Sequence, residues 1–162
     1  AQPTSRWRME VRTRDDGVTV VNDAYNANPE SMRAAISALV AMRRSSGSSG
    51  SSRRGRSWAV LGEMAELGAQ SDAAHRDVGA AVAKSGVDKL VVVGAAARGI
   101  ADGAVAEGFS TSDVVCVGDV DAAIDVLASA RDGDVVLVKA SRAAALERVA
   151  QRLLDQAAEA RA

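Results

Sequence analysis

The sequence has little cysteine, histidine or aromatic side chain, and its charges nearly cancel. The single cysteine, Cys116, excludes a disulfide framework, and because it lies in an apolar run we favour a buried reduced thiol over a catalytic one. Twenty basic and 21 acidic residues give a net charge of −1, so no general attraction to nucleic acid is expected. No apolar run approaches the ~18 residues of a membrane span, so we expect no membrane insertion.

The 162 residues fit the usual size of one domain. The chain carries no initiator methionine and no signal-peptide pattern, and it opens within a hydrophilic segment. We therefore expect residues 1–162 to be a single domain that belongs to a longer protein.

Short valine-rich runs alternate with helical patterns along most of the chain. Such continuous apolar runs are typical of parallel strands covered on both faces. We predict helices over roughly 71–85, 95–107, 119–130 and 142–158, and buried strands at 18–21, 58–61, 90–93, 114–117 and 135–138. The pattern predicts an α/β fold of the Rossmann-like, doubly wound kind, with about five parallel strands and one antiparallel edge strand.

The first forty residues predict a hairpin followed by a helix. Trp7, Met9 and Val11 alternate with charged residues, as in a half-buried strand, and an Asp-Asp-Gly turn precedes the return strand. Asn28 is the expected N-cap of the next helix, with Pro29 in its first turn. Residues 45–56, rich in serine, glycine and arginine, predict a flexible surface loop.

Two phosphate-binding motifs and the metal-ligand motifs are absent from the sequence. No strand is followed by Gly-x-Gly-x-x-Gly, and no Gly-x-x-x-x-Gly-Lys-Ser/Thr occurs. With one histidine and no cysteine pair, the metal-ligand spacings are missing too. We therefore expect no triphosphate loop and no metal site within this chain.

Polar residues gather where the predicted strands end, which is where ligands bind in such sheets. We favour a ligand contact for Asp23, because it closes a buried strand without an evident capping role, and its two carboxylate oxygens suit a ribose diol. Ser141 is expected to cap the last helix, and Lys139 beside that helix N-terminus would form an anion site. For His75, a hydrogen-bonded, semi-buried residue is favoured over a ligand contact.

Four stretches together resemble the C-terminal domain of Mur ligases. Residues 22–32 read NDAYNANPESM, residues 61–68 read LGEMAELG with His75 following, residues 138–144 read VKASRAA, and residues 7–10 read WRME. The resemblance covers the whole chain except the serine-glycine loop.

The resemblance implies the third domain of a cytoplasmic ligase that uses ATP and Mg²⁺. Within the family, the motifs are most similar to those of the member that joins D-alanyl-D-alanine to a UDP-N-acetylmuramoyl tripeptide through an acyl phosphate. The central and N-terminal domains of the same protein would be the partners, and the central domain would hold most of the ATP and Mg²⁺ contacts. The isolated chain would then be inactive.

By motif match, the resemblance also implies roles for individual residues. The nucleotide side would be contacted by Arg8, Asp23, Asn26 and Asn28. The substrate side would be contacted by Tyr25, Glu63, Glu66, Lys139, Ser141 and Arg142, with His75 as a further candidate. Two alternatives stay open: a domain of another Mur or folylpolyglutamate-type ligase, and a free-standing nucleotide-binding module. We expect Lys139 to be a surface-type residue whose replacement by methionine leaves the fold stable.

Overall fold

A computed structural model describes residues 9–46 and 55–159. Arg8, Trp7 and most of the predicted flexible loop lie outside these described residues. The strands are β1 (Glu10–Thr13), β2 (Thr19–Asn22), β3 (Ser57–Leu61), β4 (Lys89–Val93), β5 (Val114–Val117) and β6 (Val135–Lys139). The helices are α1 (Pro29–Ser46), α2 (Ser71–Ser85), α3 (Arg98–Ala106), α4 (Val120–Leu127) and α5 (Glu147–Glu159).

The six strands form one sheet in the order β1-β2-β6-β3-β4-β5. β1 pairs with β2 antiparallel and the other four pairings are parallel, which confirms the predicted Rossmann-like architecture. β6 lies between β2 and β3, so the loops that follow these three strands meet at the middle of one sheet edge.

Alternate residues of the strands supply two separate cores. Residues such as Val21, Leu61 and Val92 pack with the helices of one face, and Val20, Val60 and Val91 pack with those of the other. The first face is covered by α1, α2 and α3, and the second by α4 and α5. Helices therefore cover both faces, as the continuous apolar runs predicted.

Both edges of the sheet are more exposed than predicted. Met9 and Val11, expected to face inward, are 38% and 49% exposed, because β1 is the outermost strand at one edge. Cys116, expected to be buried, is exposed because β5 is the outermost strand at the other edge. An apolar run shows that a segment is a strand, but it does not show which strands have two neighbours.

Three helices are shorter than the patterns predicted. α3 is preceded by a separate 3₁₀ turn, Ala95–Ala97, and α4 ends at Leu127 rather than near residue 130. The predicted helix 142–158 divides into a 3₁₀ turn, Arg142–Ala144, and α5. Ala145 separates them with a φ of 54°, a left-handed conformation that an α-helix does not contain.

Asp134 ties together the amino ends of β3 and β6, opposite the predicted ligand edge. Its buried carboxylate accepts hydrogen bonds from the backbone and guanidinium of Arg56, from the Trp58 indole and from the backbone of Arg131. Burial by itself raises the pKa of Asp134, but these four hydrogen bonds outweigh burial and lower the pKa below its ordinary value of 3.8.

Asp134→Asn is expected to lower the free energy of unfolding by about 1.5–3 kcal/mol at pH 7, since the charge-assisted hydrogen bonds are lost. A lowered folded-state pKa stabilises the protein above the unfolded-state value and loses that effect as pH falls through the folded-state value. The gap between wild type and Asp134→Asn should therefore shrink below about pH 3.9. Urea denaturation of both proteins at pH 7 and at acid pH measures this stability difference. A difference that does not change with pH would contradict the lowered pKa of Asp134.

Candidate ligand site at the carboxyl ends of the strands

A cavity of about 430 Å³ opens at the carboxyl ends of β2 and β6. Its walls come from the residue before β1, the loop after β2, the first turns of α1 and the end of β6. The lining residues are Met9, Asp23, Asn26, Asn28, Ser31, Ala34, Ala35 and Lys139. Four of the predicted site residues are therefore brought together in one place.

Asp23 and Lys139 form a buried ion pair at the floor of this cavity. The parallel register places Asn22 beside Val138, and the Asp23 amide donates to the Val138 carbonyl. Lys139 Nζ lies 3.0 Å from Asp23 Oδ2 and 2.9 Å from the Asn26 carbonyl oxygen. Asp23 is 7% exposed and Lys139 is 2% exposed, so neither charge is solvated.

This pair corrects two expectations from the sequence. Asp23 does have a structural role, because its Oδ2 accepts from Lys139, and its Oδ1 has no hydrogen bond from a described residue. Lys139 points to Asp23 rather than to a helix N-terminus, because α5 begins only at Glu147. An ammonium has three N–H donors, and described residues accept from two of them, so the third has no partner within the described part of the chain.

Asn28 caps α1 as predicted. Its side-chain Oδ1 accepts from the backbone N–H of Ser31 at 2.8 Å, and its backbone N–H donates to Ser31 Oγ at 3.1 Å. Because Oδ1 is the atom used for capping, the side-chain NH₂ of Asn28 makes no capping bond and has no hydrogen-bond partner among the described residues. Asn26 is similar, since its Oδ1 accepts from the Ala27 amide at 2.9 Å.

Ser141 and Arg142 follow β6 but do not line the cavity. Ser141 was expected to cap the last helix; instead it precedes the 3₁₀ turn, and its hydroxyl makes no capping bond. Its Oγ is buried without a partner among the described residues. The Arg142 guanidinium lies over the half-exposed Tyr25 ring, 5.7 Å from its centroid, so these two residues form a second polar surface beside the cavity.

Glu63 and Glu66 lie on the neighbouring loop after β3, also outside the cavity lining. Glu66 is exposed, with a φ of 63°, and Glu63 is partly buried. His75 lies behind this loop at 1% exposure, and both its ring nitrogens are in hydrogen-bond contact with the protein. His75 is thus hydrogen-bonded, as favoured from the sequence, but it is fully rather than partly buried.

Sequence reasoning missed several residues that line the cavity. Ser31 could have been included, because it stands three residues after the N-cap, where side chains return to the capping residue. Met9 carried no such signal, since its position follows from the antiparallel pairing of β1 and from a left-handed backbone with φ of 52°. Ala34 and Ala35 contribute only their small size.

Within residues 9–46 and 55–159 there is no group of three or more His, Cys, Asp or Glu side chains that could hold a metal ion. No helix in the same part of the chain is long and apolar enough to cross a membrane. The described residues therefore provide no cluster that could hold a Mg²⁺ ion by protein side chains alone.

The fold and the site define a doubly wound α/β domain with polar groups gathered at the carboxyl ends of its strands, where ligands bind in such sheets. The sequence matches the family model described as Mur ligase, glutamate ligase domain, over residues 7–142. The chain belongs to the Mur ligase family.

Curated relatives and a solved structure agree with this placement. The chain is 48% identical over 169 residues to UDP-N-acetylmuramoyl-tripeptide–D-alanyl-D-alanine ligase of Mycobacterium tuberculosis, covering 95% of this chain and 32% of that protein. The enzyme of the same name from Bacillus subtilis is 31% identical over 148 residues, covering 91% of this chain and 30% of its own. The crystal structure of the Thermotoga maritima MurF ligase in complex with ADP is 30% identical, with a TM-score of 0.72, covering 98% of this chain and 33% of that one. The chain thus spans about a third of these relatives.

Proposed function

We propose that this chain is the C-terminal domain of an ATP-dependent ligase that joins D-alanyl-D-alanine to a UDP-N-acetylmuramoyl tripeptide. The observation that carries the proposal is the cavity at the ends of β2 and β6. The buried Lys139 ammonium and the side-chain amides of Asn26 and Asn28 line it, and all three residues belong to motifs typical of the family. The names of the mycobacterial and Bacillus relatives support the choice of substrates.

In this reaction ATP supplies the phosphoryl group that converts the tripeptide carboxylate into an acyl phosphate, and the dipeptide amine then displaces phosphate to form the amide. This domain contributes binding rather than phosphoryl transfer. The free N–H of Lys139 and the NH₂ groups of Asn26 and Asn28 are donors suited to a carboxylate. The resemblance implied that the two asparagines contact the nucleotide; because they line one cavity with Lys139, we assign them to the carboxylate of the dipeptide instead. Asp23 Oδ1 is an acceptor suited to one ribose hydroxyl of the nucleotide.

The other expected residues extend this surface. Arg142 over Tyr25 is a cation suited to the carboxylates of the peptide substrate, and Ser141, Glu63 and Glu66 lie on the same and the neighbouring loops. We place the Mg²⁺ site and most ATP contacts in a central domain, the tripeptide site partly in an N-terminal domain, and the reaction in the cytoplasm. Arg8 would join the nucleotide contacts from the segment that precedes β1.

An assay of the chain with and without the rest of its protein tests the proposal. The 162-residue chain alone should release no phosphate from ATP, because phosphoryl transfer needs a phosphate cradle and charge neutralisation that this domain lacks. The whole protein should release phosphate only when both the tripeptide and D-alanyl-D-alanine are present. Preference for glutamate or diaminopimelate as acceptor would indicate another ligase, and nucleotide binding without turnover by the whole protein would indicate a free-standing module.

Asn28→Asp is expected to raise the KM for D-alanyl-D-alanine about tenfold or more in the whole protein, because it replaces two N–H donors with a negative charge. Aspartate caps a helix as well as asparagine does, so the free energy of unfolding should stay within about 0.5 kcal/mol of wild type. Asn28→Ala serves as the matched control, since it loses both the cap and the donors. If Asn28→Asp leaves the dipeptide KM unchanged, the amide of Asn28 does not contact the dipeptide.

A further inference from the structure

One peptide group links the loop after β3 to the loop after β6. The N–H of the Glu63–Met64 peptide donates to His75 Nε2 at 3.0 Å. The carbonyl oxygen of the same peptide accepts from the Ser141 amide at 2.8 Å. Because a peptide group is planar and rigid, His75 on one side and Ser141 on the other hold it as a unit.

The hydrogen bonds of His75 fix its tautomer. Nδ1 lies 2.7 Å from the Ser71 carbonyl oxygen, which can only accept, so Nδ1 carries the proton. Nε2 is then the acceptor that the Met64 N–H requires. The ring is 1% exposed, so water does not compete for either nitrogen.

The link continues to the floor of the cavity. The Gly62 amide donates to the Lys139 carbonyl at 3.0 Å, so the ends of β3 and β6 stay paired up to the point where their loops begin. Lys139 in turn reaches Asp23 and the Asn26 carbonyl. These hydrogen bonds, together with the backbone between Lys139 and Ser141, therefore connect α2 with all three loops of the candidate site.

We infer that His75 is a positioning residue for this site. By holding the Glu63–Met64 peptide, it sets where Ser141 and the following Arg142 lie relative to Lys139, and it fixes the loop that carries Glu66. It touches no substrate itself. The inference rests on the proposed function, because loop placement affects catalysis only if these loops contact substrate.

Replacing His75 by glutamine and, separately, by asparagine distinguishes the effects of its two hydrogen bonds, because each variant can keep only one of them. The carbonyl oxygen of glutamine can reach the position of Nε2 and accept from the Met64 N–H, whereas asparagine is too short and can replace only Nδ1. In this chain, we expect His75→Asn to speed hydrogen exchange of the Met64 amide at least tenfold and to shift the Ser141 amide resonance. His75→Gln should keep the Met64 exchange rate and the Ser141 resonance close to their wild-type values. Imidazole ¹⁵N shifts of the wild-type chain should report a neutral ring protonated at Nδ1.

The same variants in the whole protein test the effect on the reaction. His75→Asn should lower kcat/KM for the dipeptide about tenfold, mainly through KM, and His75→Gln should recover most of this loss. If wild type makes no amide, the proposed function fails, whatever the variants do. If wild type is active and both variants match it, or if both lose activity equally, the positioning role is wrong. The melting temperatures of the wild type and of both variants are measured alongside. They identify loss of the fold, which would affect His75→Gln and His75→Asn alike.

Discussion

Lys139→Met is expected to lower the free energy of unfolding of this chain by about 3–5 kcal/mol, because it leaves the Asp23 carboxylate buried without its counter-ion. This reverses the expectation from the sequence, which treated Lys139 as a surface-type residue. Urea denaturation at pH 7 measures the difference. In the whole protein, the fraction of Lys139→Met that remains folded should ligate at least tenfold more slowly. Lys139 is the only cation among the described residues that line the cavity, and this variant removes it.

The double variant Asp23→Asn with Lys139→Met provides the control for this prediction. It removes both charges, so much of the lost stability should return even though the site is no longer functional. A Lys139→Met chain within about 0.5 kcal/mol of wild type would show that Lys139 is a solvated lysine and that the buried pair does not form.

Gly103→Ala is expected to destabilise the chain by about 3 kcal/mol or more, because a Cβ at this position would lie 2.1 Å from the Arg76 carbonyl oxygen of α2. Gly79 of α2 makes the reciprocal approach, with its added Cβ 1.9 Å from the Ile100 carbonyl oxygen. These glycines let the two helix backbones pack closely over the sheet. Alanine is preferred to glycine in helices by about 1 kcal/mol, so the steric clash must exceed that gain.

Gly118→Ala is the matched control for Gly103→Ala. A Cβ at Gly118 would meet nothing within 4 Å, and its φ is not left-handed, so the change should be neutral or slightly stabilising. Thermal and urea denaturation of the two variants give the comparison. Similar stability for both would mean that α2 and α3 lie further apart than described.

Local signals in the sequence predicted the features that depend on neighbouring residues. The cap and start of α1 followed from Asn28, Pro29 and Ser31, which lie next to one another. The valine-rich runs predicted the bounds of β2 to β6 to within a few residues. Burial on both faces explains the continuous apolar sequence of β3, β4 and β6. The doubly wound architecture then followed from the alternation of strands and helices.

Long-range features could not be predicted in the same way. Asp23 and Lys139 are 116 positions apart, and their contact depends on β6 inserting beside β2, which no local pattern specifies. The exposure of Val11 and Cys116 depends equally on strand order. The late start of α5 depends on the left-handed Ala145, a residue type that usually extends a helix.

Transfer of oxygen from the tripeptide to phosphate tests the central claim most directly. The whole protein would be supplied with ATP, D-alanyl-D-alanine and a UDP-N-acetylmuramoyl tripeptide whose reacting carboxylate carries ¹⁸O at both oxygens. An acyl phosphate passes one carboxylate oxygen to the phosphate that leaves when the amine attacks, so mass spectrometry should find one ¹⁸O in the released phosphate for each amide formed. Amide formation with unlabelled phosphate, or phosphate release without the amide, would contradict the account.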